Sequence, residues 1–159
     1  DMTRRYAYSL GGSRAVDSAP LSKPKNTTIL SSIQLDGTLR YTTFSGGTTV
    51  ERFKRYLETD LLPHLNGNSV LIKDNMKSHH AKAVRNLLDS SGVRYIYLPP
   101  YSPDLNPIEK LWSKVKAFLR KFKARTLDAL PNAIQCAFQT VSPSDCSGWF
   151  HSCGYSPYF

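Results

Sequence analysis

The 159-residue chain has the length of a single domain, and its 40% hydrophobic residues are enough to build a buried core. Its 21 Lys and Arg against 12 Asp and Glu give a net charge of +9, which favours a polyanionic partner, nucleic acid first. The sequence shows neither an apolar run near the ~18 residues of a membrane span nor a signal-peptide pattern, so we expect no membrane partner. Three cysteines, an odd number, do not suggest a disulfide framework, and a reducing cytoplasm is the simpler expectation.

The first half of the chain predicts a hairpin. Residues 1–25 are polar and interrupted by glycine and proline, which predicts irregular structure with at most one short strand. Two stretches rich in β-branched residues, 27–34 and 39–44, flank Asp36-Gly37, a strong signal for a hairpin turn. Apolar residues then recur at helical spacing over 50–61 and predict a helix capped by one of two threonines.

The rest of the chain alternates between strands and helices. Pro107 opens the clearest helix, with one continuous apolar stripe. The predicted elements are strands over 70–72 and 95–98, and helices over 79–90, 107–123 and 126–140. A hairpin followed by this alternation predicts an α/β fold with a mixed sheet and helices on both of its faces.

Asp74 follows the short buried strand and is itself followed by Asn75. A strand end holds a side chain rigidly while it lets the carboxylate reach solvent, which suits a catalytic acid. The alternative is that Asp-Asn only ends the strand as turn chemistry.

Glu109 is the third residue of the helix that Pro107 opens, after a stiff proline-rich approach. The alternative is a capping box, in which Asn106 is the N-cap and the acid suits the helix dipole. The two interpretations are compatible, because a cap also fixes the direction of the carboxylate.

A basic run follows Glu109. Seven Lys and Arg and no acid lie between Lys110 and Arg125. Most such runs are solvated helix faces, but beside a candidate catalytic acid we expect a surface that holds the DNA backbone without reading sequence. The predicted DNA-binding residues are Lys110, Lys114, Lys116, Arg120, Lys121 and Lys123.

Together these features carry a resemblance to a known family. The string from Pro100 to Glu109, then Leu111-Trp112, and the Asp74-Asn75 pair with His79 resemble the signature of the DDE-type transposases, specifically the mariner-like and bacterial insertion-sequence superfamily. Thirty-four residues separate Asp74 from Glu109. The segment 148–155 resembles the C-terminal end of the bacterial branch.

The resemblance implies a ribonuclease H-like fold and metal-dependent cleavage and strand transfer of DNA. Asp74 and Glu109 would be two of three acids that hold Mg²⁺ or Mn²⁺, in a pair of ions, with Asn75 and His79 assisting. The implied partners are transposon ends and target DNA, with a homodimer in the full-length protein. The implied location is the bacterial cytoplasm, in association with the nucleoid.

The chain departs from the family pattern at its start. The first acid of the family is expected before residue 1, and none of Asp1, Asp17 and Asp36 fits its position. The helix-turn-helix region of relatives is also absent from the sequence. We therefore expect residues 1–159 to be one catalytic domain, a fragment whose first strand is missing or incomplete and which is inactive alone.

Two other functions stay open at this point. One is a non-catalytic DNA-binding remnant of a transposase that keeps the basic surface. The other is a ribonuclease or junction-cutting nuclease of the same fold, against which the string ending at Glu109 argues.

Overall fold

The structure, a computed structural model, describes residues 6, 8–9, 11–16, 26–122 and 128–155. The chain divides into two compact units. The site unit comprises residues 25–110 and 142–159, and the helical unit comprises residues 1–24 and 111–141. Within the described residues, no helix has the length and apolar character needed to cross a membrane.

The site unit opens with the predicted hairpin. Strands β1 (Thr27–Ile33) and β2 (Leu39–Ser45) pair antiparallel. In the turn between them, the Asp36 carboxylate accepts a hydrogen bond from the backbone N–H of Thr38 at 2.8 Å. Gly37 has φ 91°, a left-handed conformation that glycine adopts without a steric cost.

A helical segment follows the hairpin and supplies much of the core. Helix α1 (Val50–Tyr56) is capped by the Thr49 side chain, and it continues as a π turn over Leu57–Leu61 and a 3-10 turn over Leu62–His64. The buried cluster of this unit comprises Phe53, Tyr56, Leu57, Leu61, Val84 and Leu88, with Leu30 and Leu71 of the strands packed against it.

A parallel strand pair follows. Strands β3 (Val70–Lys73) and β4 (Arg94–Tyr97) are joined through helix α2 (Lys82–Ser91), which ends at left-handed Gly92. The predicted helix start at His79 is wrong: residues 77–80 form a separate 3-10 turn, and Ala81, with ψ 140°, breaks the helical path before α2.

The strands form two sheets where the sequence predicted one. In the part of the chain that the structure describes, β1 pairs only with β2, and β3 pairs only with β4. Antiparallel and parallel pairing both occur, as a mixed sheet requires. The difference is that no described strand joins the two pairs.

Helices make up the remainder. Helix α3 (Pro107–Phe122) begins at the predicted proline, and its Trp112 ring lies edge-on to Phe138 of helix α4 (Leu130–Gln139), with centroids 6.3 Å apart. Helix α4 starts later than the predicted Thr126: residues 123–127 lie outside the described part, and a turn at 128–129 precedes it.

Helix α5 (Pro143–Ser152) was not predicted. The Ser142 hydroxyl accepts from the N–H of Asp145 at 3.1 Å, and the Asp145 carboxylate accepts from the N–H of Ser142 at 2.9 Å. This is a complete capping box, and its sequence pattern, Ser followed three residues later by an acid, was available as a signal.

Candidate active site

Asp74 lies where the parallel strand pair ends. The backbone N–H of Leu98 donates to the carbonyl of Lys73 at 2.7 Å, so the β3–β4 pairing extends to the residue before Asp74. Asp74 is therefore at the carboxyl edge of parallel strands. Ligands of α/β folds bind at this edge.

The Asp74 carboxylate is oriented by two neighbours. Its Oδ1 lies 2.6 Å from Nδ1 of His79 and accepts a hydrogen bond from the N–H of Met76 at 3.2 Å. The His79 hydrogen bond holds the pKa of Asp74 below its ordinary value. Oδ2 has no hydrogen-bond partner among the described residues, and the side chain is 40% exposed. One oxygen is thus held by two neighbours, and the other is free of described hydrogen-bond partners.

His79 is itself held from two sides. Its ring stacks on Phe53 with centroids 4.1 Å apart, and its carbonyl accepts a hydrogen bond from the Tyr97 hydroxyl at 2.7 Å. The imidazole is only 12% exposed, so packing restricts its orientation. The structure therefore places His79, a predicted assisting residue, in direct contact with Asp74.

Asn75, the other predicted assisting residue, makes a different contact. Its side-chain oxygen is bound by Nε2 of His80, whose ring stacks on Tyr97 at 4.0 Å. Arg85 lies 3.3 Å from the other nitrogen of the His80 ring. The Asn75 side chain is therefore directed to His80.

Lys73 is a residue of the site that the sequence did not point to. It is only 5% exposed, and its ammonium donates to the Tyr97 hydroxyl at 3.2 Å. The same ammonium lies 4.2 Å and 4.8 Å from the ring centroids of Tyr97 and Tyr95. Burial lowers the pKa of Lys73 to about 8. A lysine at a strand end is ordinarily solvent-facing, so no pattern in the sequence marked this position.

Glu109 lies in the first turn of α3, with its side chain exposed. Its backbone N–H donates to the carbonyl of Asn106 at 3.0 Å, and the N–H of Asn106 donates to the carbonyl of Pro103 at 3.1 Å. In the described part of the chain, neither side chain makes the reciprocal bonds of a capping box. The capping alternative is therefore not observed, and the Glu109 carboxylate is not engaged by a described residue.

Asp74 and Glu109 both belong to the site unit. The described residues contain no group of three His, Cys, Asp or Glu side chains that could hold a metal ion. Asp1 and Asp17 lie outside the described residues, and Asp36 is engaged in the hairpin turn. That Asp74 and Glu109 share a metal site stays a prediction.

The sequence comparisons identify the family. The family model for DDE superfamily endonucleases matches residues 1–131. The chain belongs to this family. The predicted membership of the DDE transposase superfamily, a family of enzymes, is therefore confirmed.

A curated relative and solved structures agree with this assignment. The chain is 29% identical over 97 residues to the Tc1 transposase of Caenorhabditis elegans, an alignment that covers 58% of this chain and 36% of that protein. It is similar to a Mos1 transposase paired-end complex with the left transposon end, at a TM-score of 0.74, 20% identity and coverage of 95% of this chain and 47% of that one. It is also similar to the catalytic domain of the Mos1 mariner transposase, at a TM-score of 0.67 and 18% identity, with coverage of 85% of this chain and 72% of that one. The predicted ribonuclease H-like α/β fold is confirmed, while the chain spans less than half of the Tc1 transposase.

The basic run of this DDE endonuclease lies mostly on exposed positions. Lys110, Lys116, Arg120 and Lys121 are exposed on α3. Lys114 is different, because its ammonium donates to the carbonyl of Thr140 at 2.9 Å and so ties α3 to the end of α4 within the helical unit. Lys123 lies outside the described residues.

Proposed function

We propose that this DDE endonuclease is the catalytic domain of a DNA transposase that cleaves and joins DNA phosphodiesters with divalent metal ions. The observation that carries the proposal is Asp74, an ionised and 40% exposed carboxylate at the carboxyl edge of parallel strands, oriented through Oδ1 and without a described hydrogen-bond partner at Oδ2. Glu109, on the rigid first turn of α3 in the same unit, is the second acid.

The donor set suits a hard divalent cation. Carboxylate oxygens are the ligands that Mg²⁺ and Mn²⁺ prefer. A pair of such ions, when bound, would supply the positive charge that the attacking and leaving oxygens of phosphodiester cleavage require. Asp74 and Glu109 would hold them, together with a third acid that corresponds to the first Asp of the family pattern. Structures of the Mos1 catalytic domain were determined with Mg and with Mn, which supports this choice of ions.

The residues of the chain supply orientation and charge. His79 keeps Asp74 ionised and aimed, and the contacts of His79 with Phe53 and Tyr97 keep the imidazole in place. Two carboxylates about 4 Å apart repel each other by roughly 1–4 kcal/mol at intermediate to high dielectric, so bound cations would relieve the repulsion in a site built from Asp74 and Glu109. Catalysis then depends on positioning and charge stabilisation around the phosphorus.

The proposed partners follow from the same function. The substrates are transposon ends and target DNA, and Mos1 complexes with a transposon end and after strand transfer support this choice. We further infer that the full-length protein acts as a homodimer and, because its substrate is chromosomal DNA, lies in the bacterial cytoplasm at the nucleoid. The family match does not favour the alternative of a non-catalytic remnant.

Substitution of either acid tests the proposal. In a form of the protein that contains the first Asp and cleaves DNA, Asp74→Asn or Glu109→Gln should lower Mg²⁺-dependent cleavage by ~1000-fold or more, because metal ligation contributes several kcal/mol to transition-state stabilisation. DNA affinity should change little. The measurements are single-turnover cleavage of a labelled transposon end and a binding titration of the same duplex.

Matched controls are available on the π turn of the site unit. Asp60→Asn and Glu58→Gln make the same chemical changes at carboxylates that the proposal does not use, and both should cleave normally. Near-normal cleavage by the Asp74 or the Glu109 variant would refute the assignment of that residue.

A further inference from the structure

The C-terminal helix of the site unit contacts the hairpin at its start. We call residues 143–155, which comprise α5 and the residues after it, the strap. A Cβ atom placed on Gly37 would lie 2.7 Å from Cα of Pro143, so the hairpin turn and the first residue of the strap are in direct backbone contact. With the Ser142–Asp145 capping box, this contact fixes where the strap begins.

The other end of the strap has a defined backbone reversal. Gly154 has φ 88°, and its N–H donates to the carbonyl of His151 at 3.0 Å. The N–H of Tyr155 then donates to the carbonyl of Phe150 at 2.9 Å, and the two rings lie edge-on with centroids 6.0 Å apart. These contacts within the strap set the direction of the Tyr155 side chain.

Tyr155 reaches the segment that leads into α3. Its hydroxyl donates to the carbonyl of Leu105 at 2.9 Å, across 50 residues of sequence. Burial raises the pKa of Tyr155, so the hydroxyl stays protonated and remains a donor throughout the neutral range. Leu105 ends the 3-10 turn Pro103–Leu105, and α3 starts two residues later with Glu109 in its first turn.

We propose that Tyr155 is a positioning residue for Glu109. The strap extends from the hairpin turn to Leu105. By holding the Leu105 carbonyl, the Tyr155 hydroxyl fixes the position and direction of the start of α3, and therefore of the Glu109 carboxylate. The role in catalysis rests on the proposed function. The strap itself lies beyond residues 1–131, the part of the chain that matches the family model.

Removal of one hydroxyl tests the strap directly. Tyr155→Phe keeps the ring contact with Phe150 and loses only the bond to Leu105. We expect amide hydrogen exchange of Leu105, Asn106 and Glu109 to become about fivefold faster, the size expected for one hydrogen bond, while the thermal unfolding midpoint changes little. Unchanged exchange at these amides would overturn the proposal.

Tyr56→Phe is the matched control. It removes a tyrosine hydroxyl that bonds Ser32 and the carbonyl of Arg40 in the same unit, with no contact to Leu105. Exchange at Leu105 and Glu109 should keep its parent rate in this variant. An equal acceleration in both variants would show a general loss of stability and would also overturn the proposal.

Mn²⁺ affinity, measured by electron paramagnetic resonance, links the strap to the acid. We expect Tyr155→Phe to bind Mn²⁺ about threefold more weakly, Tyr56→Phe to match the parent chain and Glu109→Gln to lose most of the affinity. Faster exchange with unchanged Mn²⁺ affinity would overturn the positioning role. The Mn²⁺ titrations use the form of the protein that contains the first Asp. Absence of Mn²⁺ binding by the parent in that form would count against the proposed function, whereas the exchange measurement tests the strap without any metal.

Discussion

Asp74 owes its direction to side chains from other elements as well as to its strand. The His79 ring and the backbone N–H of Met76 both bind Oδ1, and the His79 ring is stacked on Phe53 of α1. The ligands of metal sites are commonly oriented by such outer contacts, and loss of one typically weakens metal binding without removing a ligand. The same logic makes His79 the first residue to test after the acids.

Removal of the His79 side chain should weaken metal binding at Asp74. His79→Ala takes away the hydrogen bond that orients and ionises the carboxylate, and we expect Mn²⁺ affinity to fall roughly 10- to 100-fold. His64→Ala is the control, because His64 is exposed on the 3-10 turn after α1. Equal Mn²⁺ affinity of the two variants would show that His79 does not support the site.

At this scale the sequence predicted the reactive groups better than their partners. Asp74, Glu109 and His79 were marked by motif and spacing. Lys73 was not, because its burial depends on Tyr97, which lies 24 residues further along the chain and reaches it only through the parallel pairing of β3 with β4. Contacts of this kind depend on register, which a single sequence does not specify.

At the scale of the elements, we expect Gly37 to be the position of the hairpin turn at which substitution costs the most stability. Gly37→Ala combines a left-handed backbone, with φ 91°, and a close approach to Pro143. Strain of about 1–2 kcal/mol and overpacking of about 1–3 kcal/mol should together lower the free energy of unfolding by about 3 kcal/mol. Denaturant unfolding measures this loss.

Gly92→Ala is the comparison for that experiment. Gly92 also has a left-handed backbone, with φ 73°, but nothing lies within 4 Å of the added Cβ. In this variant the free energy of unfolding should fall only by the cost of backbone strain, about 1–2 kcal/mol. Equal losses in the two variants would contradict the close contact between the hairpin turn and the strap.

The exposed cations of α3 should contribute affinity for any DNA. Each lost phosphate contact should flatten the slope of log K against log salt by about 0.9. Neutralising Lys116, Arg120 and Lys121 to Gln should therefore weaken binding to all duplexes alike and reduce the slope by up to about 2.7. Lys114 is excluded from the set because it binds the carbonyl of Thr140.

A second triple variant controls for net charge. Arg55, Lys82 and Arg94 are exposed on other elements, and their change to Gln removes the same charge. Its salt slope should stay near that of the parent chain. If the α3 variant keeps its slope as well, the helix is only a solvated face.

The elements were predictable where local chemistry decides them. Asp36-Gly37 marked the hairpin and Pro107 marked the start of α3. The capping box that opens α5, Ser142 to Asp145, is also a local pattern of the sequence and marks this helix start. The tie from Tyr155 to Leu105 was beyond prediction, because it joins segments 50 residues apart.

At the scale of the whole molecule, the described strands form two separate pairs with unpaired edges. Each of the four described strands pairs on one edge only, and unpaired edges recruit other chains. The single mixed sheet expected from the sequence required a strand between them. The alternation of elements predicted the mixed sheet, whereas only the family resemblance predicted a first strand within it.

Residues 1–159 alone should show no Mg²⁺-dependent nicking of plasmid DNA. Two acids hold divalent ions less firmly than three, and the described residues offer no group of three metal-binding side chains. The assay is nicking over a range of protein concentrations beside a sedimentation measurement. Nicking that disappears in Asp74→Asn would show that another acid of this chain completes the site.

The most direct test of the central claim is backbone cleavage by Fe²⁺ bound in place of Mg²⁺. With added hydrogen peroxide as oxidant and ascorbate as reductant, hydroxyl radicals formed at the iron cut the nearest peptide segments, so one shared site predicts cuts both near Asp74 and near Glu109. Asp74→Asn and Glu109→Gln should each abolish both sets of cuts together. Cuts near one acid that persist when the other is substituted would contradict a shared metal site.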